Sequence, residues 1–191
     1  MKTALIAGHS GLVGGELLQL LLNSDKYNKV IAVGRREIDV QHPKLTQQIV
    51  DFNKLEIDGK VDDIFCCLGT TIKKAGSQEK FRLVDYQYPI NLGLAGLKAG
   101  ASAYLLVSAH GASANSSIFY SRVKGEVEEG IQSLKSQLSK QNSFSLSSDN
   151  FEKITWKPEM GLSDLHVQTE YIGIIPKEKD LMLLFASEKV N

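Results

Sequence analysis

Apolar residues along the chain gather in short continuous runs, and these alternate with stretches in which they recur at helical intervals. The first run, Ala4 to Ala7, has the length of a buried strand. It breaks at Gly8, after which Leu12, Val13, Leu17, Leu18 and Leu21 return at the spacing of one helix face. Val30 to Val33 is a second buried run and stops at Gly34. Leu45 to Val50 is a weaker third strand, and Val61 to Leu68 a strong fourth that runs into Gly69, Thr70 and Thr71. A helix is expected within Phe81 to Ala99, beginning near Tyr86 to Pro89 because proline is tolerated in a first turn. Ile90, Leu94 and Leu97 mark its buried face, and Gly100 is a fitting stop. Ala103 to Val107 is the fifth strand. The order β-α-β-β-β-α-β, with continuous rather than alternating central strands, predicts an α/β protein with a doubly wound parallel sheet.

The pattern changes beyond about Glu129. Ser133 to Ser148 is polar and serine-rich, no arginine follows Arg122, and the possible strands are Lys153 to Trp156, Leu165 to Ile175 and Leu181 to Phe185. The first two alternate, which suits half-buried strands rather than central parallel ones. Residues 131–191 are therefore read as an atypical ending to the 1–130 unit. Two endings stay open: an altered terminus that does not complete the sheet, or a compact substitute lid.

A chain of 191 residues holds one α/β core with little left for a second domain. Lysine plus arginine (22) balances aspartate plus glutamate (22), so bulk charge points to neither nucleic acid nor an anionic membrane as a partner. No apolar run is long enough to span a bilayer, and the chain opens directly into its first strand without a secretory signal. Cys66 and Cys67 are neighbours on a strand and point to opposite faces, so they do not bridge each other. These features predict a reduced, cytoplasmic protein.

Candidate chemistry begins at Gly8-x-x-Gly11-x-x-Gly14, set between a strand and a helix. In that context helical N–H groups and the helix dipole receive a pyrophosphate: Gly8 permits the turn, Gly11 lets backbone approach the phosphates, and Gly14 lets the helix pack on the strand. Gly8, Ser10, Gly11, Leu12, Val13 and Gly14 are thus candidate cofactor residues. The second strand ends in Arg35 and Arg36 with no carboxylate before Glu37, which favours the 2′-phosphate of NADP over the free ribose of NAD. Asp51 and Phe52 mark a place for the adenine ring, while Leu68, Gly69 and Thr70 face the ligand crevice from the fourth strand. Ser108 ends the fifth strand, and Tyr120 and Lys124 stand four apart, on one face of a helix. A neighbouring ammonium favours the phenolate, so such a lysine tunes a tyrosine towards acid/base work near neutral pH. Ser108 is a candidate donor to a substrate carbonyl or alkoxide. His9 in the turn is read as pointing to solvent, His110 as a loop residue, and no metal ligands are assigned.

GHSGLVG, VGRR, CCLGTT, VSAHGA and YSRVKGEVE together resemble the short-chain dehydrogenase/reductases, and within them the small atypical branch of Tat-interacting-protein-like oxidoreductases. The resemblance covers about Met1 to Gly130. It implies a Rossmann fold, NADP(H) as cofactor, a small carbonyl or alcohol substrate, and a Ser-Tyr-Lys set on Ser108, Tyr120 and Lys124, the lysine also holding the nicotinamide ribose. Asp85 and Asn91 match polar positions of the helix before the serine strand. The resemblance also suggests the tyrosine helix as the surface of a homodimer, and it admits a non-catalytic, cofactor-bound regulatory protein.

Overall fold

The computed structural model describes residues 1–109, 111–141, 151–155 and 181–186. Strands β1 (Lys2–Ala7), β2 (Tyr27–Gly34), β3 (Leu45–Ile49), β4 (Asp63–Cys66) and β5 (Ala103–Ala109) pair in parallel in the order β3-β2-β1-β4-β5. This is the doubly wound sheet expected from the sequence. Strand β4 is shorter than the apolar run that announced it: Val61 and Leu68 flank it as loop residues.

The sheet separates two apolar clusters because successive strand residues point to opposite faces. Ala4, Ile6, Val30, Ala32 and Phe65 face helix α1 (Leu12–Asn23), which buries Leu17, Leu18, Leu21 and Leu22 against them. Each such leucine contributes about 1.5–3 kcal/mol of burial. Leu5, Ala7, Ile31, Val33, Ile64 and Cys66 form the other face with Leu92 of α4 (Tyr88–Lys98) and with Val127 and Ile131 of α5 (Phe119–Gln141).

Two helical readings need correction. Leu12 is 75% exposed, because the first turn of α1 stands at the open end of the sheet and the buried stripe begins at Gly14. Leu94 is also exposed: α4 turns Pro89, Leu92, Gly93, Ala95 and Gly96 inward. Gly96 sits so close to the sheet that a Cβ there would lie 2.3 Å from Cδ1 of Ile64, so small residues share the inner face with Leu92.

The helical stretch also begins earlier than expected. Helices α2 (Ile72–Ala75) and α3 (Gln78–Arg82) precede α4, and a π-helical turn, Leu83–Gln87, joins α3 to α4. Its backbone bond runs from Tyr88 N–H to the carbonyl of Leu83, five residues back. Pro89 follows at once and has no N–H to give to the Asp85 carbonyl, so an α-helical ladder is interrupted at that place.

Past α5 the described residues add no sixth parallel strand to the sheet. Strand β7 (Leu181–Ala186) lies antiparallel to β5, and β6 (Phe151–Thr155) lies antiparallel to β7 at the sheet's edge. These strands agree closely with two of the three short segments expected. The third, 165–175, lies outside the described residues.

Candidate active site

The connections of the sheet leave β1 and β4 on opposite sides, so the switch point lies between them, and a crevice opens beyond their carboxyl ends. The glycine turn forms one wall. Gly8 has φ +84°, and a Cβ there would stand 2.4 Å from the carbonyl oxygen of Cys67. A Cβ on Gly14 would stand 2.2 Å from the carbonyl oxygen of Gly8. Both obstacles are backbone, so turn, helix and strand end are pressed together without room for side chains. The Gly11 N–H donates to the Gly8 carbonyl at 3.0 Å. No side chain caps α1, and its first turn carries no acidic residue. Its first N–H groups and the positive end of its dipole are left for an anion.

His9 is buried at 4% exposure, against the expectation that it points to solvent. Gly34, at the end of β2, makes room for it: a Cβ there would stand 2.9 Å from Cε1 of the imidazole. Burial pulls the imidazole below its usual value, which keeps it neutral, and its Nδ1 finds no hydrogen-bond partner among the described residues. Ser10, Gly11 and Leu12 form the exposed rim beside it, with Val13 half-buried. Arg35 and Arg36 are exposed just past β2. Asp51 is also exposed, and the backbone and side-chain amides of Asn53 hold its carboxyl below the usual carboxylate range. Phe52 turns inward instead. Its ring stacks on Tyr88 at 5.2 Å, and its carbonyl accepts from Nδ2 of Asn91 at 2.7 Å.

The opposite wall is the end of β4, where Leu68 is half-buried and Gly69 exposed. Beneath them the side chain of Asp85, from the π turn, bridges two groups. One oxygen lies 2.7 Å from Nζ of Lys124, and the other accepts the N–H of Thr70 at 2.9 Å. A Cβ on Gly69 would meet that Asp85 oxygen at 3.5 Å and Nζ of Lys124 at 3.8 Å. Burial raises the Asp85 carboxyl above its ordinary value, while the Lys124 ammonium and the Thr70 N–H draw it back.

Helix α5 supplies the chemistry-bearing stripe, with Tyr120, Lys124 and Glu128 one turn apart. Lys124 is buried, whereas Tyr120 is 38% exposed, its ring against buried Phe81 at 5.7 Å. Arg82 pairs with Glu126 and ties α3 to α5. Ser108 is buried at 3% exposure, and its hydroxyl donates to Oε1 of Glu128 at 2.5 Å. A hydroxyl has a single O–H to give, so in this arrangement Ser108 offers acceptor lone pairs elsewhere.

The structure thus joins Gly69, Thr70, Asp85 and Lys124 directly, keeps Tyr120 on the lysine's face, and links Ser108 to that face through Glu128. Glu128 was missed in the sequence, although its place eight residues after Tyr120 and four after Lys124 is the signal for it. His110 lies outside the described residues. Among the described residues no group of His, Cys, Asp and Glu could hold a metal ion, and no helix is long and apolar enough to cross a membrane.

No family model matches the chain. Curated proteins do. Protein HTATIP2 from Rattus norvegicus is 36% identical over 141 residues, which is 70% of this chain and 58% of that protein. Protein FMP52-1, mitochondrial, from Scheffersomyces stipitis is 35% identical over 141 residues, 70% of this chain and 62% of that protein. The chain is a homologue of HTATIP2 and FMP52. It spans about three fifths of the length of these relatives.

Solved structures agree on the architecture of this HTATIP2/FMP52 homologue. A short chain dehydrogenase family protein from Francisella tularensis superposes with TM-score 0.56 at 18% identity, covering 73% of this chain and 65% of that one. MoeE5 in complex with UDP-glucose and NAD gives TM-score 0.56 at 16% identity, covering 69% and 48%. Both are Rossmann proteins, and at these identities the likeness is one of fold. The cytoplasmic expectation does not stand, because several of the yeast FMP52 relatives are named as mitochondrial. Neither the even charge balance nor the two unbridged cysteines discriminates between the two compartments.

Proposed function

We propose that this chain binds a nicotinamide dinucleotide and works as an oxidoreductase on a carbonyl or hydroxyl carbon of a small molecule. The observation that carries this reading is that the side-chain-free cradle of Gly8 and Gly14 meets the backbone just past β4, where Gly69 lies against the buried ammonium of Lys124 on the Tyr120 face. The residues present fit the cofactor. The uncapped start of α1 suits its phosphates, and His9, whose ring packs on Gly34 at the end of β2, leaves a buried Nδ1 without a hydrogen-bond partner among the described residues. The nicotinamide ring supplies or accepts the hydride when bound.

The chain's own residues do the rest. The glycine turn and the N–H groups of α1 bind the phosphates, and exposed Arg35 and Arg36 favour a 2′-phosphate, hence NADP(H) over NAD(H). Lys124 holds the nicotinamide ribose and stabilises charge on Tyr120. Tyr120, which is partly exposed, gives or takes the proton at the substrate oxygen. Ser108, fixed by Glu128, positions an adjacent O–H through its lone pairs.

Fluorescence titration with NADPH and NADH tests the cofactor half. Tight binding with NADPH preferred is the expected result, and failure to bind either refutes the proposal. Tyr120→Phe tests the chemistry: turnover of a carbonyl substrate falls at least about 100-fold while cofactor affinity stays within about twofold, the general acid/base share of the rate being of that order. Retained turnover refutes the role.

A second reading is a cofactor-binding regulatory protein without turnover. The commitment of the only Ser108 proton to Glu128 favours it, since that leaves no donor on Ser108 for a substrate carbonyl. A broad carbonyl screen that finds tight NADPH binding and no turnover would select it.

A further inference from the structure

The carboxylate of Asp85 has no part in the acid/base scheme, yet it is the most deeply placed charge in the crevice, its side chain fully covered. It reaches that place through an irregularity, since the π turn of Leu83–Gln87 carries it between α3 and α4. Turns of this kind are rare and recur at functional sites. Its two oxygens serve different elements: Nζ of Lys124 on α5 at 2.7 Å and the backbone N–H of Thr70 beyond β4 at 2.9 Å. Gly69 lies over both charges, since a side chain there would begin 3.5 Å from one and 3.8 Å from the other.

Resting on the oxidoreductase reading for its purpose, we infer that Asp85 is a positioning residue. It clamps the Lys124 ammonium and the Thr70 loop together, so that the lysine and the wall of the crevice hold one geometry. The two contacts make the assignment. A carboxylate needed only to neutralise a buried lysine has no reason to bind a loop N–H as well. A carboxylate needed only to shape the loop has no reason to bury an ammonium beside it, because burying charge is costly unless it is paired. The other titratable groups around Lys124 are the Cys66 thiol from β4 and, on its own helix, Tyr120 and Glu128. Cys66 is buried and its thiol is pushed up, so it stays uncharged and does not replace Asp85 as counter-ion.

The test uses the full chain with Asp85→Asn, which keeps shape and removes charge, and Asp85→Glu, which restores charge on a longer arm. Acylation by acetic anhydride at pH 8, followed at Lys124 by peptide mass spectrometry, reads the clamp directly, because only a neutral amine reacts. Without the carboxylate, burial favours the neutral lysine, and Lys124 labelling rises about tenfold in the Asn variant while exposed Lys73 and Lys74 are unchanged. NADPH affinity falls about tenfold and declines further from pH 7 to pH 9, where the wild type stays flat; the Glu variant recovers part of both. A role confined to fold stability moves neither the labelling ratio nor the pH profile.

Unchanged Lys124 labelling in a folded Asn variant overturns the proposal. If neither variant folds, amide exchange in the wild type decides. Protection of Thr70 above that of exposed Thr71 supports the clamp, and exchange of Thr70 as fast as Thr71 overturns it. Labelling and exchange need no cofactor. A wild type that binds neither NADPH nor NADH therefore refutes the oxidoreductase reading while these readouts still judge Asp85.

Discussion

Gly14 and Gly15 stand side by side in α1 and offer a controlled comparison. Changing either to alanine brings the same gain in helix propensity, about 0.8–1 kcal/mol. Their surroundings differ. A Cβ on Gly15 meets only the His9 carbonyl oxygen at 3.6 Å, an ordinary contact, whereas one on Gly14 would lie 2.2 Å from the Gly8 carbonyl oxygen and 2.9 Å from the His9 Cα. None of the atoms around Gly14 belongs to a movable side chain, so α1 must lift from the turn that it packs on. Overpacking of this kind costs about 1–3 kcal/mol. Gly15→Ala is therefore expected to stabilise the protein by up to about 1 kcal/mol. Gly14→Ala is expected to melt below it by the full cost of the clash, about 2–12 °C at roughly 2–4 °C per kcal/mol for a chain of this size. Parallel thermal melts followed by circular dichroism read the difference directly, and NADPH titration should weaken for Gly14→Ala alone. Two variants that melt together, or Gly14→Ala melting above Gly15→Ala, would refute the close-packed cradle.

Two further outcomes concern buried charge and buried thiols. Lys124→Met removes the ammonium and leaves Asp85 covered without its counter-ion, at a cost of about 3–5 kcal/mol near neutral pH. Burial already raises the Asp85 carboxyl in the folded state, and losing Lys124 raises it further. A carboxyl raised on folding gives stability that is complete below its unfolded value, near about 3.9, and is lost as pH climbs through the raised folded value. The deficit of Lys124→Met against wild type should therefore shrink from pH 8 to pH 5 in urea unfolding; a deficit independent of pH counts against the assignment. Cys66 and Cys67 both have thiols pushed up by burial, so a disulfide exchange reagent at pH 8 should find neither in the native protein and both after unfolding. Rapid reaction of Cys66 in the native state would contradict its burial.

Much of the architecture was legible because it depends on features that sequence carries directly. The runs Ala4–Ala7 and Val30–Val33 became parallel strands because buried strands need no alternation, and the partly buried run Ala103–Val107 joined them. The glycine turn was readable because a positive φ and a backbone contact both demand glycine at Gly8. What failed was phase. Leu94 was read as buried because leucine is apolar, but the inner face of α4 falls on Leu92, Gly93, Ala95 and Gly96, and at Gly96 the helix is too close to the sheet for any side chain. The π turn was invisible because its cause is a missing N–H at Pro89 acting on residues upstream, whereas proline at a helix start ordinarily signals only a beginning. Pairings across distance were also hidden. Spacing links Tyr120 to Lys124 along a helix, but nothing local links Asp85 to Lys124, Ser108 to Glu128, or Asn91 to the Phe52 carbonyl.

The π turn also bears on how this protein can vary in length. Such a turn holds one residue more than the α-helical turn it replaces. Deleting any one of residues 83–87 would let α3 run straight into α4, a change that ordinary helix energetics would welcome. The flanks would keep their relative rotation, because an α turn closes the same turn with one residue fewer, so the cost would fall inside the segment that carries Asp85. Phe81 would stay against the ring of Tyr120 and Arg82 beside Glu126, while Asp85 would lose the position that reaches both Lys124 and Thr70. Homologues that keep the clamp should therefore differ here by substitution and not by insertion or loss. A single-codon deletion in this segment is expected to yield a folded sheet that has lost the Asp85 contacts to Lys124 and Thr70.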